Sequence, residues 1–302
     1  MKDLISVRQL NKEKFFEIYE IFKYYKKRYL NGETKFSDLR GYSIVLPFFE
    51  NSTRTRTSFE LAGKILGADT INISASASSV KKGENLYDTI KTLEAMQFDF
   101  IVMRHYMSGA SKIVADKVKS HVINAGDGAN EHPTQALLDA FTILEKKGSL
   151  EGLKIAIIGD ILHSRVARSD IFLFKMLGAN ITLCGPKTLL PRCLSSFDVD
   201  NITTDINEAL MDKDVVIFLR IQLERQNKVF FSTLNEYSIK YGLNQERINL
   251  IRKDGIIMHP GPVNRGVEIN SELVYGDRTV ILEQVKNGLF TRMAVYRFLL
   301  NG

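Results

Sequence analysis

Residues 50–60 read Glu-Asn-Ser-Thr-Arg-Thr-Arg-Thr-Ser-Phe-Glu, directly after the apolar run Ile44-Val45-Leu46-Pro47-Phe48-Phe49. Hydroxyl and guanidinium groups this dense at a strand-to-helix turn describe a site for a doubly charged oxyanion. The helix start offers backbone N–H groups and a positive dipole end, Ser52, Thr53 and Thr55 add neutral donors, and Arg54 adds a planar charged fork. Phosphate is the ligand this favours, cradled without the glycines of a Walker loop. The competing reading makes Ser52 or Thr53 a simple helix cap with the arginines on a solvated face; the density of the cluster argues against it. Further along, His132-Pro133-Thr134-Gln135 opens a helical stretch after the polar turn 124–130. Arg104 ends an apolar run, and ligands of parallel sheets gather at strand ends, an argument that His105 lacks.

These side chains need a scaffold, and the residue pattern describes one. Phe15, Ile18, Tyr19 and Phe22 at helical spacing predict an amphipathic helix over 11–25. Strands are expected near 43–48, 68–73, 100–104 and 122–124, with helices beginning at Thr53, Leu86, Gly109 and His132. A second series starts at 153–159 and continues at 181–184, 215–219 and 255–258. Repeated strand-then-helix order implies an α/β fold of two doubly wound domains, each with a central parallel sheet flanked by helices. The sequence Lys-Gly-Ser-Leu-Glu-Gly at 147–152 marks the boundary, giving domains of 1–147 and 148–279 before a last apolar helix within 278–302. Ser74-Ala75-Ser76-Ala77-Ser78-Ser79-Val80-Lys81-Lys82-Gly83 follows neither period and is expected to be a loop, one that can close over an anion. Ile158-Gly159-Asp160 invites a dinucleotide reading, yet the later glycines of that fingerprint are absent.

The chain has 302 residues, 44% hydrophobic and 25% charged, which suits a globular protein long enough for two cores. No apolar run approaches the ~20 residues of a membrane span, and residues 1–15 lack the apolar stretch of a signal peptide, so a soluble cytoplasmic protein is expected. Cys184 and Cys193 have neither CxxC spacing nor a nearby His; free buried thiols are expected, with no metal site. The net charge of +6 raises nucleic acid as a partner. The densest basic run, Lys23 to Arg28, lies on the outer side of an amphipathic helix and reads as a solvated face, while a basic balance also suits an enzyme of anionic substrates.

Taken together, Ser-Thr-Arg-Thr-Arg at 52–56 and His-Pro-Thr-Gln at 132–135 resemble the signature of the aspartate and ornithine carbamoyltransferase family, over essentially the whole chain. Lys81-Lys82-Gly83-Glu84, Arg220-Ile221-Gln222-Leu223-Glu224-Arg225 and His259-Pro260-Gly261-Pro262-Val263-Asn264-Arg265-Gly266 resemble its aspartate branch; the H-C-L-P turn and S-M-G segment usual in the ornithine branch are absent. The resemblance implies a transferase reaction in pyrimidine biosynthesis, in which the amine of L-aspartate attacks carbamoyl phosphate to give N-carbamoyl-L-aspartate and phosphate. By match to the family motifs, Arg54, Arg104 and Lys82 serve the phosphate side, while Arg165, Arg220 and Gln222, with Lys82, serve the aspartate side. It further implies a homotrimer with shared active sites, in which Lys82, with Ser78 or Ser79, reaches the neighbouring subunit, and it leaves open a regulatory chain or a dihydroorotase as a further partner.

Chemistry then assigns roles. Ser52, Thr53, Arg54 and Thr55 hold phosphate, and Arg54 also neutralises the leaving oxygen. Arg104, His132 and Thr55 aim donors at the carbamoyl oxygen, which becomes an oxyanion in the tetrahedral intermediate. Gln135 accepts from the carbamoyl NH2, as do backbone carbonyls of the Pro260-Gly261-Pro262 turn. No covalent intermediate, cofactor or metal is called for, and the departing phosphate is an acceptor for the amine proton. Arg56 and Glu50 are read as ties between domains or subunits, and Arg225 and Arg265 as interdomain ion-pair partners. Two rivals remain: an ornithine-specific enzyme, which needs an acid to read a cationic side chain, and a non-catalytic phosphate-binding homologue, against which the intact motif set argues.

Overall fold

The computed structural model describes residues 1–74, 85–191, 197–221 and 233–301. Among them, β1 (Ser43–Phe48), β2 (Asp69–Ser74), β3 (Phe100–His105) and β4 (His121–Asp127) form a parallel sheet in the order β2-β1-β3-β4. A second parallel sheet holds β5 (Lys154–Ile158), β6 (Asn180–Cys184), β7 (Asn201–Thr203), β8 (Val215–Phe218) and β9 (Ile256–Met258) in the order β7-β6-β5-β8-β9. Helices alternate with the strands: α1 (Lys12–Leu30), α2 (Thr53–Ile65), α3 (Leu86–Ala95), α4 (Ala110–Ala115) and α5 (Pro133–Lys147), then α6 (Arg165–Met176), α7 (Ile206–Leu210), α8 (Leu234–Tyr241) and α9 (Ile281–Leu300). The expected fold class is therefore the observed one.

Chain contacts divide the molecule into two units, Met1–Leu138 with Lys286–Gly302, and Asp139–Val285. The division falls within α5 and again within α9. In the first unit, Val45, Ile101, Met103 and Val122 pack with Ile90, Leu93 and Val114 of the helices. Such nearly continuous apolar strands are what a sheet covered on both faces requires. The end of α9 belongs to this core, where Tyr296 meets Phe59 and Phe100 with ring centroids 5.8 and 5.3 Å apart. The second core joins Ala156, Ile158, Val216, Phe218 and Ile257 to Leu210 and Leu273.

Helix α1 buries Phe15, Ile18, Phe22 and Tyr25 and runs on to Leu30, past the expected end. Its basic run is an outward face: Lys23 pairs with Glu20 at 2.7 Å and Arg28 with Glu33 at 2.5 Å. The strand β7 was not expected; with three residues, none of them fully buried, it carries almost no apolar signal and forms a short sheet edge. Cys184 is a free buried thiol whose pKa burial pushes up to about 12, so it is inert at neutral pH, while Cys193 lies outside the described residues.

One buried group in the second unit works against stability. Asp170 on α6 is fully buried, and neither carboxylate oxygen has a hydrogen-bond donor among the described residues. Burial first, and the charge of buried Asp139 second, raise its pKa well above the carboxylate range. The folded state thus binds a proton that the unfolded chain has released. Its advantage is complete below the ordinary carboxylate pKa and fades as pH climbs through the raised value. Asp170→Asn should flatten this decline and stabilise the protein at alkaline pH, because a neutral amide in the same place has no charge to bury. Urea unfolding at mildly acidic and alkaline pH measures both quantities, and a mutant that keeps the wild-type pH slope excludes Asp170 as its source.

Candidate active site

Each sheet is wound outward from an inner strand, which leaves a crevice at the carboxyl ends where neighbouring strands send their chains to opposite sides. In the first sheet the switch lies between β1 and β3, in the second between β5 and β8. Both crevices are lined by residues singled out from the sequence.

At the first crevice, β1 ends at Phe48 and α2 begins at Thr53. Ser52 occupies the N-cap position in extended geometry, yet its side chain makes no capping bond, and the first turn of α2 contains no acidic residue. Thr53 and Arg54 are exposed, Thr55 is buried, and Ser52 is intermediate. The hydroxyl and N–H groups of this turn are therefore arranged as an anion cradle. Arg104 stands across the switch on β3, in register with Phe48. Its guanidinium donates to the Ala125 carbonyl at 3.2 Å and lies 3.5 Å from Glu50 Oε1. Glu50 thus appears beside a candidate ligand within one unit.

His132 and Gln135 are buried at the start of α5, where the Gln135 N–H donates to the His132 carbonyl at 2.9 Å. What fixes this corner escaped the sequence reading. Asp127 accepts from the Gly109 N–H at 2.6 Å and the Glu131 N–H at 3.1 Å, closing the turn that precedes His132. Glu131 accepts from the Ser6 hydroxyl and, at 2.9 Å, from the Val7 N–H. The N-terminal segment is thereby pinned behind His132 across a sequence separation of 124 to 125 residues, which no local pattern reveals. His105 is structural: its Nδ1 accepts from the Met107 N–H at 3.0 Å, and burial lowers its pKa against the opposing charge of Asp127.

At the second crevice, Arg165 is buried at the first position of α6, which Ser164 caps by accepting from the Ala167 N–H at 3.1 Å. Arg220 lies two residues past the end of β8, after Leu219, and is half-buried. Gly159 at the end of β5 has φ of +130°, and a Cβ there would stand 3.1 Å from both the Cβ and the carbonyl oxygen of Leu219. This glycine lets the β5 and β8 chains pass closely, which explains it without a dinucleotide. In the same turn, Asp160 Oδ1 contacts His163 Nδ1 at 2.9 Å. The turn after β9 is set by the Gly261 N–H donating to His259 Nδ1 at 2.8 Å and by the His259 N–H donating to Gln284 at 3.0 Å. Gly261 has φ of +68°, a conformation that suits glycine and leaves the turn carbonyls, including those of Pro260 and Pro262, as its polar groups. Lys82, Gln222, Arg225, Ser78 and Ser79 lie outside the described residues.

Two doubly wound units, one carrying a cradle for an oxyanion and the other a pair of arginines, define an enzyme class that handles anionic substrates. The particular family follows from comparison with known proteins. Residues 2–145 match the carbamoyl-P binding domain of aspartate/ornithine carbamoyltransferases and residues 151–299 match their Asp/Orn binding domain. The chain is 54% identical over 294 residues to the aspartate carbamoyltransferase catalytic subunit of Ruminiclostridium cellulolyticum, covering 97% of this chain and 94% of that one. Identity to the corresponding subunit of Pelotomaculum thermopropionicum is 52%, covering 100% and 97%. Among solved structures, aspartate transcarbamoylase from Trypanosoma cruzi in complex with carbamoyl phosphate superposes with a TM-score of 0.89 at 30% identity, covering 98% of this chain and 95% of that one. Ornithine carbamoyltransferase from Pyrococcus furiosus gives 0.88 at 26% identity, covering 100% and 97%. The chain belongs to the aspartate/ornithine carbamoyltransferase family.

The cradle can be told from a cap by experiment. Arg54→Ala should weaken binding of inorganic phosphate by about 10- to 100-fold, the loss of a charged hydrogen-bonding partner. Ser52→Ala should also weaken it, yet should not show the ~1 kcal/mol stability loss that follows removal of a working cap. Calorimetric titration and thermal unfolding check the two halves; a destabilised Ser52→Ala protein with unchanged phosphate affinity restores the capping reading.

Proposed function

We propose that this chain is a catalytic subunit of aspartate carbamoyltransferase, transferring the carbamoyl group of carbamoyl phosphate to L-aspartate and releasing N-carbamoyl-L-aspartate and phosphate. What supports the choice of acceptor is that Arg165, at the start of α6 after β5, and Arg220, just past β8, lie on the segments that leave the two strands of the second switch point. Two guanidinium groups suit the two carboxylates of aspartate, whereas the cationic side chain of ornithine would want an acid. The names of the relatives at 52–54% identity support the same acceptor.

In this reading, Ser52, Thr53, Arg54 and Thr55 hold the phosphate of carbamoyl phosphate at the start of α2. Arg104, His132 and Thr55 donate to the carbamoyl oxygen, and they do so more strongly once it becomes an oxyanion. Gln135 accepts from the carbamoyl NH2. As the tetrahedral intermediate collapses, the C–O bond to phosphate breaks, Arg54 stabilises the leaving dianion, and phosphate takes the amine proton. Arg165, Arg220 and Gln222 bind the aspartate carboxylates. The rate enhancement is then positional and electrostatic, with no protein group bonded to the substrate.

Assays offering L-aspartate and L-ornithine separately test the acceptor, and turnover with ornithine alone overturns it. His132→Ala should lower kcat by about 100- to 1000-fold, with carbamoyl phosphate affinity changed much less, because the imidazole is assigned to charge that develops in the transition state. Steady-state kinetics with kcat retained removes His132 from that role.

The finer reading is a cytoplasmic homotrimer in pyrimidine biosynthesis whose Lys82, with Ser78 or Ser79, completes the site of the adjacent subunit. Lys82→Ala and Arg54→Ala trimers should each be nearly inactive. Hybrids reassembled from the two should regain a substantial fraction of wild-type activity, because some sites then combine an intact Arg54 with an intact Lys82. Hybrids verified by mass spectrometry that stay inactive place Lys82 in its own chain's site.

A further inference from the structure

Glu268 stands outside every motif discussed so far, yet it is fully buried in the second unit. Its carboxylate is met by donors. Oε1 accepts from the Ile221 N–H at 2.9 Å and from the Asn264 side-chain amide at 2.8 Å, and Oε2 accepts from the Asn264 N–H at 2.7 Å. Asn264 also donates to the Ile221 carbonyl at 3.2 Å. His259 Nε2 lies 3.8 Å from Oε2. Since His259 Nδ1 accepts from the Gly261 N–H at 2.8 Å, the ring proton sits on Nε2, on the edge that faces Glu268. One carboxylate therefore staples the chain leaving β8 to the turn that leaves β9.

A buried carboxylate close to a site for anions is unfavourable unless its charge is met by several donors. The donors here are the N–H groups of Ile221 and Asn264 and the Asn264 side-chain amide, on the chains that leave β8 and β9, and Ile221 is the residue directly after Arg220. We propose that Glu268 is a positioning residue for the amino-acid substrate, fixing through the Ile221 N–H the direction in which Arg220 presents its guanidinium to a carboxylate. This rests on the reading of Arg220 as a carboxylate ligand. A glutamine would fill the same volume but offer one acceptor oxygen for donors that occupy two, leaving at least one buried N–H unmatched.

The test uses the full-length enzyme. Glu268→Gln should raise KM for L-aspartate by about tenfold or more, with a smaller change in kcat, while the Kd for carbamoyl phosphate, titrated without aspartate, stays within about twofold of wild type. Asn264→Ala, which keeps the bonds to both backbone N–H groups, should raise the same KM by about three- to tenfold. A merely structural role would lower thermal stability and disturb both substrates alike. Unchanged KM for aspartate in a folded variant, or an equal loss of carbamoyl phosphate affinity, overturns the proposal; if Glu268→Gln does not fold, Asn264→Ala decides it. Wild-type enzyme without aspartate turnover would sink the functional reading itself, whereas active wild type with unaffected variants sinks this inference alone.

Discussion

A parallel sheet wound outward from an inner strand has one place where its cover divides, and both units of this protein concentrate their chemistry there. In the first unit α2 points its positive end toward that unit's crevice, bordered by the segments of Arg54 and Arg104; in the second unit α6 does the same, beside the segments of Arg165 and Arg220. Dipoles and guanidinium groups act in the same direction, so each crevice favours anions before any specific hydrogen bond forms. Like charges gathered within one crevice also repel each other. Arg104 is steadied against this repulsion by the Ala125 carbonyl at 3.2 Å and by Glu50 at 3.5 Å, a separation long enough for an incoming anion to compete.

The start of α2 shows how function displaces a local preference. Helices α1, α3, α6, α7 and α8 begin with an Asn, Ser, Asp or Thr whose side chain accepts a backbone N–H of the first turn. Ser52 has the right residue type and position at α2 but makes no such bond. A serine there would ordinarily contribute about 1 kcal/mol as a cap. Leaving the N–H groups and the hydroxyl of this turn uncommitted to each other is the condition for offering them to phosphate.

The strands were legible because a sheet buried on both faces writes itself as apolar runs bounded by polar turns. Hence β1 spans the expected residues, and the helices at Thr53 and Leu86 begin where the pattern puts them. Among the candidate side chains, Arg54, Arg104 and His132 drew attention because polar groups stand out against such runs, whereas Arg165 and Arg220 entered only through the family resemblance. The strand order was not in the sequence, since β2 and β3 are equally plausible neighbours for β1 until both are placed on opposite sides of it. Nor were Asp127, Glu131 and Glu268, whose partners Gly109, Val7 and Ile221 are remote in the chain. Acids of this kind look like ordinary surface residues until the fold buries them.

Those three acids share a physical logic. A site for two anionic substrates needs rigid loops and net positive charge, and acids paired to the ligand arginines would supply the first at the expense of the second. Asp127, Glu131 and Glu268 instead accept backbone N–H groups, at 2.6 Å from Gly109, 2.9 Å from Val7 and 2.7 Å from Asn264. Each such bond is charge-assisted and fixes main chain, so the short segment that carries the candidate guanidinium or imidazole is held in place. Catalysis by placed donors depends on small displacements, because a donor moved by an ångström loses most of its interaction with a developing oxyanion. In the proposed reaction, then, the placement of His132 and Arg220 falls to carboxylates that do not themselves contact the reacting atoms.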